Sequence, residues 1–292
     1  MRKQFVQTVT SILESDNKSA LFLGDIGVFG FRDALLKYPR RAFNIGILEQ
    51  ATIGVAAGFA LNEYTPIVHT IAPFLVERAY EQLKIDFGYQ DLNGNFITVG
   101  ASYDYAPLGC THHCPGDVHL MSNISNCNVI VPGRDIEFDI LFRQTYKSGF
   151  NYFRLSEKSH KEDVDVSFGK NTIIKEGKNG TIITVGPTLS MTLEATQNLD
   201  VTVVYCTTIQ PFDYKSISKY LNERKIITIE PYYRGLLATK IINESNGQMR
   251  QILTLGVPHE FVRKYGTSEQ HDEKFGLDVR GLNNKITDYL SL

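Results

Sequence analysis

The sequence predicts an α/β fold made of two successive doubly wound domains, and three features of the chain support this prediction. In the first half, short apolar runs typical of buried parallel strands alternate with segments of helical periodicity. A polar and charged stretch over residues 156–178 contains few large apolar side chains, and a second alternating set follows it. Because strands that alternate with helices build parallel sheets, we expect a first domain over residues 1–160, a linker over 161–175 and a second domain over 176–292.

The individual strands and helices follow from the apolar pattern. Continuous apolar runs of four to six residues predict buried strands, and apolar residues three or four apart predict helices. In the first half, the predicted strands are residues 20–23, 67–70, 95–99, 128–131 and 151–155, and the predicted helices are 3–14, 50–61, 73–88 and 135–149. In the second half, helices separate the predicted strands 181–185, 201–205, 225–230 and 251–255.

Composition and charge exclude several classes of protein. The 292 residues are 42% hydrophobic and 21% charged, which is ordinary for a globular chain with proper cores. A net charge of −2 argues against nucleic acid or an anionic membrane as a partner. No apolar run approaches the ~20 residues that span a bilayer, and four scattered cysteines do not form a disulfide framework. We therefore expect a cytoplasmic protein.

Glu49 is the residue that most strongly indicates a functional site. It follows a predicted strand end at residues 44–47 and directly precedes the predicted helix 50–61, which is rich in alanine and glycine. An acid in such surroundings is costly to bury as an ion, so it needs a partner, and that partner can be a ligand. Ligands of open α/β sheets collect at strand-to-helix junctions of this kind. The alternative is an acid that only caps or braces the start of the helix.

A second candidate site is the loop of residues 104–117, DYAPLGCTHHCPGD, which carries two adjacent histidines. Histidines in a loop after a strand can reach a cleft and titrate near neutral pH. Cys110 and Cys114 with one histidine also permit a metal-binding interpretation, but a structural zinc ion usually takes four protein ligands. A loop with a purely structural role is the third interpretation. No metal ligand is assigned.

Phe74 lies at the start of the predicted helix 73–88 and has two interpretations. It belongs to the core if it shares one helix face with Ala79 and Leu83. It offers a flat aromatic surface to a heterocycle if it faces a binding cleft. His69, in the preceding predicted strand, is expected to orient the strand end and is only a candidate for cofactor contact.

Several motifs resemble one family of enzymes. FNIGILEQATIGVAAGFAL, APFLVERAYEQLK and LGCTHH, in this order, resemble the pyrimidine-binding domain of transketolase-like thiamine diphosphate enzymes. In the second half, TIQPFD, IEPYYRGLL and LGVPHEF resemble the transketolase C-terminal domain. The resemblance covers nearly the whole chain. It implies that the two expected doubly wound domains are a thiamine diphosphate pyrimidine-binding domain and a transketolase C-terminal-like domain.

The resemblance also implies roles for individual residues. Glu49 corresponds to the family glutamate that faces the aminopyrimidine ring, where its carboxyl bonds a ring nitrogen and favours the tautomer that takes up the cofactor's acidic proton. Phe74 resembles the aromatic residue that stacks on the pyrimidine, and Asp25 resembles an aspartate close to the cofactor. His112 matches a histidine that contacts a substrate oxygen and stabilises charge developing there. His113, beside it, is a further candidate for substrate contact.

The magnesium and diphosphate site of full-length transketolases is missing from this sequence. In the family, a Gly-Asp-Gly motif and a downstream asparagine hold Mg²⁺ and the diphosphate, whereas here Asp25 is followed by Ile26 and Asp117 by Val118. The chain therefore resembles the C-terminal half of a split transketolase. This implies a separate diphosphate-binding subunit that supplies the Mg²⁺ ligands. It also implies that this chain forms a homodimer within a heterotetramer of two such pairs.

Two positions depart from the family pattern and concern the substrate. Leu108 stands where transketolases carry an aspartate that contacts substrate hydroxyls. Glu157 aligns with a family arginine that binds phosphate, and a carboxylate repels a phosphate monoester. Either Arg154 or Lys158 replaces that arginine, or the acceptor lacks the phosphate. Arg154 is the residue assigned to substrate binding.

The function that the resemblance implies is a transketolase reaction of carbohydrate metabolism. The complete enzyme would transfer a two-carbon ketol unit between a ketose donor and an aldehyde or keto-sugar acceptor, and it would be active only with the partner subunit. The alternatives are the beta subunit of a 2-oxoacid dehydrogenase, a deoxyxylulose phosphate synthase-like enzyme, and a non-catalytic scaffold. The presence of Glu49 and Phe74 argues against the scaffold, because such a copy has no need of a buried acid.

Overall fold

The computed structural model describes residues 1–222, 225–245 and 248–291 of the chain. Residue 292, the end of the predicted second domain, lies outside these described residues. A seven-stranded sheet organises the first half of the chain and a five-stranded sheet organises the second half. The fold class predicted from the sequence is thereby confirmed, with parallel strands in both sheets.

The first sheet contains six parallel strands separated by helices. They are β1 (Ser19–Leu23), β2 (Ala42–Asn44), β3 (Thr65–Ile71), β4 (Gly94–Val99), β5 (Cys127–Ile130) and β6 (Phe150–Arg154), in the spatial order β5-β6-β4-β3-β1-β2. β1, β4 and β6 are buried along their whole length, which explains why they are mostly apolar in the sequence. Asn95, Asn151 and Arg154 are buried polar exceptions. β2 has only three residues and forms the edge of the sheet, where the sequence predicts no more than a strand end.

One helix precedes the first sheet and others follow its strands. They are α1 (Arg2–Ser15), α2 (Arg32–Lys37), α3 (Glu49–Leu61), α4 (Tyr80–Gln82), α5 (Asp117–Ser122) and α6 (Asp135–Thr145). The predicted continuous helix 73–88 is instead interrupted, because α4 lies between two π-helical segments, Pro73–Glu77 and Leu83–Tyr89. Such π-helical turns are rare and often occur at functional sites. The first of them carries Phe74.

The second half supplies the remaining strands and helices. The strands are β7 (Asn171–Lys175), β8 (Thr181–Val185), β9 (Thr202–Cys206), β10 (Thr208–Gln210), β11 (Ile226–Tyr233) and β12 (Ile252–Val257). The helices are α7 (Leu189–Ala195), α8 (Tyr214–Leu221), α9 (Leu236–Glu244), α10 (Ser268–Phe275) and α11 (Val279–Ser291). The second sheet has the order β12-β11-β8-β9-β7. Within the described part of the chain, no helix is long and apolar enough to cross a membrane.

The boundary between the two halves differs from a simple linker in two respects. β7 lies inside the predicted linker 161–175 and pairs antiparallel with β9. β10 leaves the second half and pairs antiparallel with β5 of the first sheet. Hydrogen bonding between strands therefore joins the two halves directly, a connection that local sequence patterns do not predict.

A buried arginine also joins the two halves. Arg154, the last residue of β6, has a side chain that is 1% exposed, and its Nε lies 2.7 Å from Oδ2 of Asp117 at the start of α5. The guanidinium also donates to the Ser102 hydroxyl at 2.6 Å and to the Pro231 carbonyl of β11 at 3.3 Å. Arg154 thus connects both ends of the loop between β4 and α5 to the second sheet.

We predict that Asp117→Asn lowers the free energy of unfolding by about 3–5 kcal/mol, because it would leave the buried Arg154 charge without a counterion. Urea denaturation followed by circular dichroism measures this change. Glu14→Gln is the matched control, since it removes an exposed carboxylate that contacts Lys37 at 2.7 Å, and exposed pairs contribute little. A loss no larger than that of the control would show that Arg154 does not depend on Asp117.

Candidate active site

The ends of four neighbouring parallel strands place the main predicted residues at one edge of the first sheet. Asp25 follows β1, Glu49 follows β2, Phe74 follows β3, and the loop that carries His112 follows β4. The four strands are adjacent in the order β2-β1-β3-β4, so their carboxyl ends lie side by side. The chain direction across the sheet reverses at β1, and such a reversal is where open α/β sheets bind ligands.

A tight turn between β2 and α3 positions Glu49. Gly46 has a φ of +85°, a left-handed conformation that favours glycine, and its N–H donates to Oδ1 of Asn44 at 3.2 Å. The N–H of Leu48 then donates to the Gly46 carbonyl at 2.9 Å, and α3 begins at the next residue, Glu49. The carboxylate lies in the first turn of this helix, where the helix dipole favours negative charge.

The Glu49 carboxylate is buried, and only one of its two oxygens has a hydrogen-bond partner among the described residues. Its side chain is 2% exposed, and Oε2 accepts a hydrogen bond from Nη1 of Arg78 at 2.9 Å. Oε1 is also buried, and it has no hydrogen-bond partner within the described residues. Because buried polar atoms are normally hydrogen-bonded, Oε1 stands out as an unused acceptor at this edge of the sheet.

Arg78 brings three of the predicted residues into one cluster. Its guanidinium carbon lies 4.2 Å from the centroid of the Phe74 ring, a cation–π arrangement. The His112 ring stands edge-on to Phe74, with the two centroids 5.2 Å apart. Glu49, Arg78, Phe74 and His112 therefore form a continuous series of contacts. The sequence analysis does not identify Arg78. Its spacing of four residues from Phe74 in a predicted helix indicates only that the two side chains can lie on one helix face.

His112 lies in the loop of residues 104–117, which we call the histidine loop. It ends the short 3₁₀ segment Cys110–His112, and its Nδ1 lies 3.0 Å from the Thr111 hydroxyl. At the base of the loop, Ser102 pairs with Cys114 through an antiparallel bridge. The His112 side chain is half-buried, so it packs on the protein and also reaches solvent.

Asp25 lies at the same sheet edge but is held by a different residue. It has a φ of +61°, and its N–H donates to Oδ1 of Asn44 at 3.0 Å. The Asn44 amide donates in return to Oδ1 of Asp25 at 3.1 Å. Asn44, which the sequence does not single out, thereby fixes an exposed carboxylate beside the start of α3.

His113 and Arg154 do not join this cluster. His113 is buried, its ring lies edge-on to His271 of α10 at 5.9 Å, and burial lowers the pKa of His113. His113 also lines a cavity with Cys110 and Tyr233, and its contact with substrate stays a prediction. Arg154, the other residue predicted to bind substrate, has a buried guanidinium bonded to Asp117 and Ser102, and it lines an interior cavity with Lys158 and Met191. Its contact with substrate stays a prediction.

The metal-binding interpretation of the histidine loop requires several ligand side chains close together. Within the ranges that the structure describes, no group of three or more His, Cys, Asp or Glu side chains is arranged to hold a metal ion. Cys110 is exposed, whereas Cys114 is buried with its Sγ 3.5 Å from Oε1 of Glu77. The two thiols therefore face different surroundings.

His69 links two strands below this edge of the sheet. Its Nδ1 donates to the Ile97 carbonyl of β4 at 2.8 Å, and its ring packs 4.5 Å from that of Phe5. Burial lowers the pKa of His69 to about 4, so the ring is neutral at neutral pH. Because Nδ1 donates, the proton of the neutral ring resides on that nitrogen. This placement agrees with a residue that orients the end of β3.

A buried carboxylate, an aromatic ring and a histidine at the carboxyl edge of an open α/β sheet are the arrangement of a ligand-binding enzyme domain. Residues 1–161 match the family described as the transketolase pyrimidine-binding domain, and residues 169–282 match the transketolase C-terminal domain. The chain therefore belongs to the transketolase family. This membership confirms the prediction of a transketolase-like transferase chain of the thiamine diphosphate class.

Curated relatives agree with the family. A 33.6 kDa protein of the fasciation locus of Rhodococcoides fascians, named as uncharacterized, is 38% identical over 98% of this chain and 93% of its own length. A subunit of the apulose-4-phosphate transketolase of Phocaeicola vulgatus is 26% identical over 96% of this chain and 94% of its own length. The 1-deoxy-D-xylulose-5-phosphate synthase of Vibrio vulnificus is 29% identical over 87% of this chain, which corresponds to 42% of the synthase.

Two solved structures share the fold. One, described as a split gene transketolase in an inactive beta4 tetramer, has a TM-score of 0.86 at 24% identity and covers 100% of this chain and 98% of its own. The other, a transketolase from Campylobacter jejuni, has a TM-score of 0.79 at 18% identity and covers 98% of this chain and 46% of its own. At these identities the similarity shows the fold alone.

We predict that His69 makes the folded state less stable in acid. Its pKa is about 4 in the fold and 6.5 ordinarily, so between these values the unfolded chain binds a proton that the folded chain does not. The stability from the neutral ring is present above about pH 6.5 and is lost as the pH falls toward 4. Between pH 7 and pH 5, the wild-type free energy of unfolding should fall by about 2 kcal/mol more than that of His69→Gln. Urea titrations at both pH values measure this difference, and equal losses would contradict a buried neutral His69.

Proposed function

We propose that this chain is the pyrimidine-binding subunit of a thiamine diphosphate-dependent transketolase. The complete enzyme would transfer a two-carbon ketol unit between a ketose donor and an aldehyde or keto-sugar acceptor. The observation that carries the proposal is the buried Glu49 carboxylate, which Arg78 holds through Oε2 while Oε1 lacks a partner among the described residues. This half-satisfied acid lies at the sheet edge that suits a ligand, in contact with the cluster of Phe74 and His112.

The residues of this edge fit the ring end of the cofactor. When bound, thiamine diphosphate supplies a ring nitrogen that needs a partner and an acidic carbon at which substrate chemistry begins. Glu49 would bind the ring through Oε1 and hold the proton shared at that contact. Phe74 would offer an aromatic face, and Asp25 a second carboxylate at the same edge. His112 would donate a hydrogen bond to a substrate oxygen and stabilise negative charge that develops there.

The proposed partner is a different polypeptide that binds the diphosphate and Mg²⁺. This chain has no Gly-Asp-Gly motif, and its relatives include proteins named as one subunit of an apulose-4-phosphate transketolase. The similar split gene transketolase is described as an inactive beta4 tetramer. These observations support a chain that associates with its own copies and is inactive alone. We propose a heterotetramer of two pairs, cytoplasmic and part of carbohydrate metabolism. Within this chain, the passage between the two domains would fall in residues 161–175, and β7 at the end of that segment belongs to the second sheet.

The substrate end of the site offers little to a phosphate group at the position where the family carries an arginine. Glu157 stands at that position. Lys158 forms an ion pair with Asp272 of α10, and Arg154 is buried in its pair with Asp117. Neither flanking cation is therefore free to replace the missing arginine. This supports an acceptor that is not bound through a phosphate at this position.

A deoxyxylulose phosphate synthase-like reaction is the second candidate, because synthases of that name match 87% of this chain. That reaction would begin with the decarboxylation of a 2-oxoacid, whereas the transketolase reaction would consume a ketose without release of CO₂. Release of CO₂ from pyruvate by the complete enzyme would favour the synthase. Transfer from a ketose without CO₂ would favour the transketolase.

The first test is the binding of thiamine diphosphate in the presence of Mg²⁺, measured by calorimetry. We expect tight binding by a mixture of this chain with its diphosphate-binding partner, and weak or undetectable binding by each of the two alone, because the proposed site is shared between them. Tight binding by this chain alone would contradict the shared site. Absence of binding in the mixture would contradict the proposed function and leave the scaffold alternative.

Substitutions of Phe74 and His112 are expected to affect different quantities, namely the affinity for the cofactor and the turnover of substrate. Phe74→Ala should weaken cofactor binding by about 1–3 kcal/mol, the scale of a lost buried aromatic contact. His112→Ala should leave the cofactor dissociation constant unchanged and lower kcat with the donor sugar, because its proposed contact is with substrate. Tyr89→Ala, which truncates an exposed ring before the amino end of β4, is the control for both measurements. Weaker cofactor binding in His112→Ala would place the histidine at the cofactor instead.

A further inference from the structure

Arg78 is fixed between two of the groups that the proposed function assigns to the cofactor. Its Nη1 lies 2.9 Å from Oε2 of Glu49, and its guanidinium carbon lies 4.2 Å from the centroid of Phe74. The backbone of Arg78 is held as well. Its N–H donates to the Pro73 carbonyl at 3.1 Å, and its carbonyl accepts from the Gln50 side chain at 3.3 Å. Arg78 therefore connects the π-helical segment after β3 to the first turn of α3.

The two charges of this ion pair differ in their access to water. The Glu49 side chain is 2% exposed, whereas that of Arg78 is 41% exposed. Among the described residues, Arg78 is the only cation that forms an ion pair with Glu49. A carboxylate at this depth needs a counterion to remain ionised. Arg78 consequently supplies the counter-charge beside Glu49 and leaves one of its two oxygens free.

We propose that Arg78 is the positioning residue of Glu49 in the proposed transketolase reaction. It binds Oε2 and leaves Oε1 as the single acceptor for the cofactor ring. The guanidinium could hold both oxygens in a forked contact, but it makes one hydrogen bond and lies over Phe74. The same side chain therefore sets the orientation of the carboxylate and supports the aromatic ring. This inference rests on the proposed function, and Arg78 need not contact the cofactor itself.

The test is a double-mutant cycle in the complex of this chain with its diphosphate-binding partner, thiamine diphosphate and Mg²⁺. Arg78→Met removes the charge at similar length, and Arg78→Lys keeps the charge without the planar fork. Each is combined with Glu49→Gln. Arg143→Met is the matched control, because Arg143 is 46% exposed and pairs with Asp139 at 3.0 Å on α6. Calorimetry gives the cofactor dissociation constant, and NMR gives the rate at which the acidic ring proton of the bound cofactor exchanges with deuterium.

We expect Arg78→Met to slow proton exchange at saturating cofactor by about tenfold or more, within the range of coupled contacts. In the Glu49→Gln background the same substitution should have no further effect, because Arg78 acts through Glu49. Arg78→Lys should restore part of the exchange rate, and Arg143→Met should leave both the rate and the dissociation constant unchanged. A residue with a merely structural role would instead lower the rate equally in both backgrounds.

Two results would overturn the positioning role. One is a loss in the Glu49→Gln background as large as that in the wild type. The other is tighter cofactor binding by Arg78→Met, which would mean that the guanidinium competes with the cofactor for Glu49 and Phe74. If Arg78→Met does not fold, Arg78→Lys takes its place in the cycle with the same two criteria. A wild-type complex that binds no thiamine diphosphate would instead overturn the proposed function, and this inference with it.

Discussion

The guanidinium of Arg154 holds together the part of the molecule on which the candidate site depends. It contacts Ser102 near the beginning of the histidine loop, Asp117 at the end of that loop, and Pro231 of the second sheet. Both ends of the loop are therefore fixed from inside the protein, while its tip carries His112 at the sheet edge. Buried ion pairs often add little net stability, although the removal of one partner is costly. We attribute to Arg154 mainly the geometry of the loop and the joining of the two halves.

Glu49 and Asp117 are both buried acids paired with an arginine, but their arginines differ in exposure to solvent. Each carboxylate is bonded to an arginine, and each leaves one buried oxygen without a partner in the described residues. The partner of Asp117 is itself buried, so this pair is sealed within the protein. The partner of Glu49 is 41% exposed, so the second pair lies directly beneath the surface of the sheet edge. The ion pair of Glu49 therefore lies nearer to solvent than that of Asp117.

The residues of the candidate site suit only part of a cofactor-binding site. Its residues provide acceptors, an aromatic ring and a histidine, which suit the ring end of a cofactor and a substrate oxygen. The family to which the chain belongs includes a pyrimidine-binding domain, and the proposed function assigns the diphosphate end to another polypeptide. The open carboxyl edge of the sheet, with Asp25 and Arg78 both exposed, is where such a partner would complete the site.

The sequence by itself determined the two α/β units, most strand positions and the start of α3. It could do so because strands such as β1, β4 and β8 are buried on both faces and carry no charged residue, so they appear as largely apolar runs. It also indicated Glu49, Phe74 and His112, which the fold brings together. In contrast, the π-helical turns after β3, the crossing of β10 to the first sheet and the roles of the arginines appeared only in the tertiary structure.

Arg78 and Arg154 show why the sequence did not reveal these contacts. Both are basic residues near the end of a strand or the start of a helix, and their local patterns do not reveal what they contact. Their carboxylate partners lie 29 and 37 positions away in the chain. Local sequence encodes the periodicity of burial, whereas the pairing of distant charges depends on how the elements pack. Packing placed the guanidinium of Arg154 in the interior and that of Arg78 beside Glu49 and Phe74, and neither contact can be read from the neighbouring sequence.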